Sequence, residues 1–228
     1  GTYHNGTMLH DSNTYNNGWL STMGGDNILG SVNYGYPRII FSDYGKHKLS
    51  GNAAVALSQV TCGMLPSSSY WTGETADMEY SPFCYNTIFI SNSGGIWKSV
   101  DNGTTYNLLH QFGGGKVTTI EASWQNPDVM YAVYYTAWFG SKKVSKTVNG
   151  GTTWTDVTPP SALFGTANLW APFDIAVSTD DDNHIWLVRT MQSSTYANLN
   201  GVKTYYSANG GTTWTNITTP TLDGEYLT

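Results

Sequence analysis

Charge is scarce in this 228-residue chain: 11% of residues are Asp, Glu, Lys or Arg, and ten basic side chains are spread thinly under a net charge of −6. Binding to a phosphate backbone needs clustered cations that displace counterions. Nucleic acid and anionic membrane surfaces are therefore excluded as expected partners. Long apolar runs are missing too. None approaches the ~20 residues that span a bilayer, so no membrane insertion is expected, and no signal peptide is visible, which predicts a soluble chain. Only two cysteines occur, Cys62 and Cys84. They cannot supply the paired clusters of a structural zinc site. They are a candidate disulfide in an oxidising compartment and equally an ordinary pair of reduced thiols. The chain starts at Gly1 with no initiator Met, and its first residues read like the middle of a domain, which predicts processing or a fragment. No Gly-x-Ser-x-Gly elbow, phosphate loop or His-Glu-x-x-His pattern occurs.

What is abundant is turn and strand material. Aromatic residues make up 14% of the chain and there are 25 glycines, a balance that predicts an all-β protein of short strands and tight turns. Self-similarity is the strongest signal. Thr147-Val148-Asn149-Gly150-Gly151-Thr152-Thr153-Trp154-Thr155 recurs as Ser207-Ala208-Asn209-Gly210-Gly211-Thr212-Thr213-Trp214-Thr215, and a looser copy runs Ser99-Val100-Asp101-Asn102-Gly103-Thr104-Thr105-Tyr106. The flanks repeat in the same order. Val117-Thr118-Thr119-Ile120, a turn at 125–128, Val129 to Tyr134 and Lys142 to Lys146 match Phe173 to Val177, a turn at 180–183, Ile185 to Val188 and Val202 to Tyr206. Each unit reads as strand, turn, strand, loop, strand, Asn-Gly-Gly turn, strand. Glycine supplies the positive φ such a turn needs, the Asp or Asn side chain bonds nearby amides, and the Trp or Tyr gives a large face to pack.

The pattern Ser/Thr-x-Asp/Asn-x-Gly-x-Thr-Trp/Tyr resembles the Asp-box (BNR-like) repeat of sialidases, sortilin-type ectodomains and xyloglucanase-like proteins. That resemblance implies a β-propeller of four-stranded blades, here a partial one, with Asp101, Gly103, Tyr106, Asn149, Gly151, Trp154, Asn209, Gly211 and Trp214 as structural residues at the periphery. Asn149 and Asn209 stand where the repeat usually has Asp. The blade reading is the end of one blade in 1–22, a modified blade in 23–75, and three further units at 76–113, 114–160 and 161–220, all in one propeller region, 1–228. The N-terminal stretch, with Gly24-Gly25-Asp26-Asn27 and Pro37 to Ser42, is similar to large propellers of secreted Bacteroidota-type surface proteins. This implies a secreted or cell-surface bacterial module, a type IX secretion substrate, that binds a glycan or a protein partner.

Sialidase chemistry needs three arginines around a carboxylate, and only Arg38 and Arg189 are present. A xyloglucanase-like glycoside hydrolase needs two carboxylates about 5 Å apart for retention or about 6.5–9.5 Å for inversion. Asp26 and Asp77 are the candidates, with Asp43 and Glu79 behind them, and solvated loop carboxylates are the blander reading. Trp71, Trp138 and Trp170 are candidate ligand-binding aromatics, set against packing between blades. Asp180-Asp181-Asp182-Asn183 has oxygen ligands that suit calcium, yet it occupies the turn that 125–128 fills without an acidic set, so a solvated turn is expected. The five histidines form no metal-ligand spacing, and no metal or cofactor is expected. Gly113-Gly114-Gly115-Lys116 reads as a flexible link between units. Asn5, Asn102 and Asn216 head Asn-x-Ser/Thr sites, and a glycan at Asn102 would disturb its turn.

Overall fold

The computed structural model describes residues 7–10, 19–23, 30–35, 39–42, 45–50, 53–59, 77–92, 94–113, 115–136, 141–160, 173–189 and 202–219. They form strands and turns, with no helix among them. A two-stranded sheet pairs β1 (Thr7–His10) with β2 (Trp19–Met23). Four four-stranded sheets follow. The first holds β3 (Gly30–Val32), β4 (Ile39–Ser42), β5 (Gly45–Ser50) and β6 (Ala53–Gln59); the second β7 (Asp77–Tyr80), β8 (Ile88–Asn92), β9 (Gly95–Ser99) and β10 (Asn107–Gln111). The third holds β11 (Val117–Ala122), β12 (Met130–Tyr135), β13 (Lys142–Thr147) and β14 (Thr155–Asp156); the fourth β15 (Phe173–Val177), β16 (Ile185–Arg189), β17 (Lys203–Ser207) and β18 (Thr215–Asn216). Every sheet is a meander in which sequence neighbours pair, and the repeat expected at 114–160 and 161–220 coincides with the third and fourth sheets.

The chain divides into two compact units, Gly1–Asn92 with Ile96–Leu108, and Ser93–Gly95 with Leu109–Thr228. In the first, Met78, Ile88, Ile90 and Tyr106 form a buried cluster flanked by Ile39, Tyr80 and Trp97. In the second, Val129, Tyr131, Val133 and Val144 of the third sheet bury against Ile175, Val177, Ile185, Leu187, Tyr205 and Trp214 of the fourth. Alternation explains this. The strand Ile185-Trp186-Leu187-Val188-Arg189 buries every second residue, as period-two side chains on a half-covered sheet must.

The repeated Asn-Gly-Gly segments are the turns 148–154 and 208–214, and the looser copy is 100–106; all three have the same length. The hydroxyls of Ser99, Thr147 and Ser207 accept the amides of Gly103, Gly151 and Gly211 at 2.8, 3.0 and 2.8 Å. Oδ1 of Asn149 accepts the Thr153 amide at 2.9 Å, and Nδ2 donates to the Thr153 hydroxyl at 2.8 Å; Asn209 repeats both bonds with Thr213 at 2.8 Å. Asp101 keeps the geometry with the hydroxyl reversed, for Thr105 donates to Oδ2 at 2.7 Å. Gly151 and Gly211 have φ of 92° and 90°. A Cβ on Gly211 would also stand 2.6 Å from Cβ of Val157, so glycine is required there both by φ and by space.

A second repeated turn joins the first two strands of each of these sheets, at 81–87, 123–129 and 178–184, again of one length. Each opens on a serine, Ser81, Ser123 or Ser178, whose hydroxyl accepts the amide two residues on at 3.3, 3.0 and 3.2 Å. The two turns of one sheet are cross-bonded. Asn102, Gly150 and Gly210 donate their amides to the carbonyls of Asn86, Asp128 and Asn183 at 2.9, 2.9 and 2.8 Å. Asn102 adopts the left-handed φ of 56° that its glycine counterparts adopt freely, as Asn tolerates best among residues with a side chain. Gly115 lies in the stretch between β10 and β11. Gly115 is buried, and a Cβ there would overlap the carbonyl of Tyr135. The glycine is needed for close backbone approach as well as for a link.

Candidate functional site at the loop end of the second unit

Each sheet of the second unit has two unlike ends. One carries the paired turns just described. At the other end the chain passes from β12 to β13 through 136–141, from β14 to β15 through 157–172, and from β16 to β17 through 190–202. These connections differ in length, whereas the four turns of the opposite ends are equal. The exit from β14 is guided in detail: Val157 donates to the Val144 carbonyl at 2.8 Å, and the Thr158 hydroxyl accepts the Val144 amide at 2.9 Å. The strand therefore continues beside β13 toward its first residue, Lys142, before leaving.

Lys142 and Arg189 are the notable groups at this end. Both are 4% exposed, although charged side chains are rarely buried without compensation. Lys142 pairs in register with Tyr135 and lays its ammonium 4.8 Å from the centre of that ring, a cation–π contact. Arg189 pairs in register with Phe173 on one side and Lys203 on the other. Directly opposed residues of antiparallel strands share a face, so Arg189, Lys203, Leu187 and Tyr205 lie on the face that buries against the third sheet. Burial pushes the Lys142 ammonium down, and the neighbouring Arg189 charge pushes it further, to about 7. Burial also lowers Arg189, which the hydrogen-bonded Tyr205 partly offsets. Burial raises the phenols of Tyr135 and Tyr205.

The sequence candidates fall as follows. Asp77 is on β7, where its carboxylate accepts the amide of Met78 at 2.9 Å. Glu79 lies two residues further along the same strand. Asp26, Asp43, Trp71, Trp138, Trp170 and Cys62 lie outside the described residues, so nothing is assigned to them; Cys84 is exposed in the turn 81–87. The acidic run is a turn held by itself. Asp181 accepts the Asn183 amide at 2.9 Å and its side-chain amide at 3.0 Å, while the Asp182 carbonyl accepts the Tyr131 hydroxyl at 2.7 Å. Among the described residues no three His, Cys, Asp or Glu side chains are placed to hold a metal ion. Lys142 and Arg189 were not singled out in the sequence. The available signal was three cations at strand ends, Lys142, Arg189 and Lys203, with no acidic residue in 136–141, 157–172 or 190–202.

No family model matches the sequence, and no curated protein sequence matches it. Solved structures do. An ancestral GH74 enzyme is 17% identical, with a TM-score of 0.59 over 86% of this chain and 24% of its own. YCF48 from Cyanidioschyzon merolae is 13% identical, with a TM-score of 0.52 over 91% of this chain and 64% of its own. A structure of YCF48 bound to D1 peptide is 15% identical, with a TM-score of 0.51 over 88% and 58%. The chain thus spans less than two thirds of each. At such identities the likeness speaks to fold alone: the protein is all-β, with the four-stranded antiparallel blades of a β-propeller.

Proposed function

We propose that this chain is an Asp-box propeller segment of a secreted or cell-surface bacterial protein, a type IX secretion substrate, and that it works as a binding module for a glycan or a protein. The observation that carries this reading is the contrast between the two ends of the sheets. Equal turns, stapled by the same bonds, hold one end, whereas connections of unequal length emerge from the other. Rigid scaffolds commonly present recognition residues on such variable loops. The YCF48 structure, which holds a D1 peptide, supports the same use of a propeller. A xyloglucanase-like glycoside hydrolase is the second reading, favoured by the GH74 likeness. Of its two candidate carboxylates, Asp77 accepts its neighbour's amide, and Asp26 lies outside the described residues.

The test is a glycan, polysaccharide and peptide binding screen with reducing-sugar release followed in parallel. We expect a ligand retained without turnover, lost when residues 191–200 are replaced by a Gly-Ser linker and kept in Asn149→Asp at the stapled end. Sugar release that Asp26→Ala or Asp77→Ala abolishes would make the protein a hydrolase and overturn the module.

A further inference from the structure

We infer that Asn149 and Asn209 are deamidation sites held shut by their own turns, and that loss of the side-chain nitrogen converts each neutral staple into the charged one already built at Asp101. The inference concerns the stapled end of the sheets and stands apart from the binding-module reading.

The sequence places each asparagine in the pair most open to this reaction. Gly150 and Gly210 follow them, so no side chain shields the amide nitrogen that attacks Cγ. The turn keeps glycine there, since Gly150 and Gly210 have φ of 66° and 65°, the left-handed region that glycine enters without steric cost. In the reaction the glycine nitrogen bonds to Cγ and closes a succinimide ring, while Nδ2 departs as ammonia together with the proton that the glycine amide gave up. Water then opens the ring. Cleavage of the bond to Cγ gives aspartate, and cleavage of the bond to the backbone carbonyl gives isoaspartate.

The closed turn engages every participant. Gly150 and Gly210 donate their amides to the carbonyls of Asp128 and Asn183 at 2.9 and 2.8 Å, so the attacking nitrogens keep their protons. The departing nitrogens are held as well: Nδ2 of Asn149 and of Asn209 donates to the hydroxyls of Thr153 and Thr213, both at 2.8 Å. Oδ1 of Asn149 accepts the Thr153 amide at 2.9 Å and the Thr147 hydroxyl at 3.0 Å. Oδ1 of Asn209 accepts the Thr213 amide at 2.8 Å and the Ser207 hydroxyl at 3.0 Å. A side chain fixed on both sides cannot turn Cγ toward the next nitrogen without breaking these bonds, so the reaction waits on local opening of the turn.

Asp101 shows the product in place. Its Oδ1 accepts the amides of Thr104 and Thr105 and the hydroxyl of Ser99, and the Thr105 hydroxyl donates to Oδ2 at 2.7 Å. The threonine hydroxyl thus serves either state by reversing its proton: it accepts from an asparagine and donates to an aspartate. Aspartate formed at 149 or 209 recloses the turn and leaves a new negative charge on it. Isoaspartate lengthens the backbone between Thr147 and Gly151, whose bond at 3.0 Å spans the turn, and that product loses the staple.

The test is peptide mapping by mass spectrometry of the whole chain after incubation at mildly alkaline pH, folded and in guanidinium chloride. Asn149 and Asn209 are expected to deamidate at least about tenfold more slowly in the folded chain, because opening breaks several hydrogen bonds. Thr153→Val removes the hydroxyl and is expected to speed Asn149 about fivefold, the effect of one hydrogen bond, with Asn209 in the same molecule unchanged. Thr153→Ser, which keeps the hydroxyl, retains the wild-type rate. Thr213→Val should speed Asn209 and spare Asn149. Asn149→Asp is expected to keep the wild-type urea midpoint at neutral pH, where Asn149→Ala lowers it. Equal rates in the folded and unfolded chain, or a folded Thr153→Val in which Asn149 reacts no faster, overturns the inference. An Asn149→Asp chain as unstable as Asn149→Ala overturns it too, because the product would then not reclose the turn.

Discussion

One hydroxyl separates the acid-sensitive copy of the repeated turn from the two that are not. At Asn149 and Asn209 the side-chain amide donates to a threonine, so the turn carries no charge. At Asp101 the threonine turns around and donates. The carboxylate also accepts the amides of Thr104 at 3.1 Å and Thr105 at 2.9 Å and the Ser99 hydroxyl at 2.8 Å. Partial burial raises this group, but the bonds from Thr105, Ser99 and Thr104 outweigh it and hold the carboxyl at about 2. A group depressed in the folded state contributes stability above its unfolded value, and that contribution is lost as pH falls from about 4 through about 2. Asp101→Asn is therefore expected to fold normally at pH 7, with a cost below about 1 kcal/mol. It should also flatten the acid limb of the urea-midpoint curve between pH 4 and about 2. Asp101→Ala should cost about 1 kcal/mol or more at pH 7. An unchanged acid limb in Asp101→Asn would place the acid sensitivity elsewhere.

At the scale of the strand and turn, the repeated aromatic does different work in successive sheets. Trp214 is 7% exposed within the core of the second unit, and its indole donates to the Val157 carbonyl at 2.8 Å, tying the fourth sheet to the third. Trp154 donates to the Gly151 carbonyl of its own turn at 3.0 Å and packs edge-on to Phe112, half-exposed. Trp214→Ala should cost about 3–5 kcal/mol, as buried Trp truncations do, and Trp154→Ala less than half of that, both read from equilibrium urea unfolding. Equal losses would mean that the two indoles bury comparable surface. The element order was legible for a related reason. Glycines at positive φ, an amide side chain two residues earlier and an aromatic three residues later cannot recur by chance, and the strands between them alternate. The turns at 123–129 and 178–184 were legible as inter-strand turns at 125–128 and 180–183, but their shared serine and the matching turn at 81–87 were not, because a serine followed by unlike residues carries no pattern. Only their equal length and shared bonds reveal them. The candidate site was less legible still: Trp71, Trp138 and Trp170 were chosen as aromatics in loops, while burial of Lys142 depends on which strands face it, a tertiary property invisible in a string that reads Ser141-Lys142-Lys143.

For the molecule as a whole, charge predicts one direction of pH dependence and the buried lysine predicts the other. With a net charge of −6 and a pI near 5.1, the chain gains negative charge as pH rises above neutrality, and self-repulsion in a compact state grows with it. On that ground alone stability would fall slowly toward alkaline pH. Lys142 acts against this. Its ammonium is held at about 7 in the fold, first by burial and then by Arg189, while in the unfolded chain it titrates near about 10.4. Between those values the unfolded state binds the extra proton, so the unfolding free energy rises with pH. The penalty of a buried charge is complete below about 7 and relieved toward 10, where Tyr135 and Tyr205, both raised by burial, begin to pull the other way as their unfolded forms ionise. Urea midpoints should therefore climb from pH 7 to about 9. Lys142→Met should be more stable than the wild type at pH 7 and should show the gentle decline that net charge alone dictates. If both proteins decline in parallel, the ammonium is not held in a dry site, and the balance of the alkaline profile lies with the surface charges.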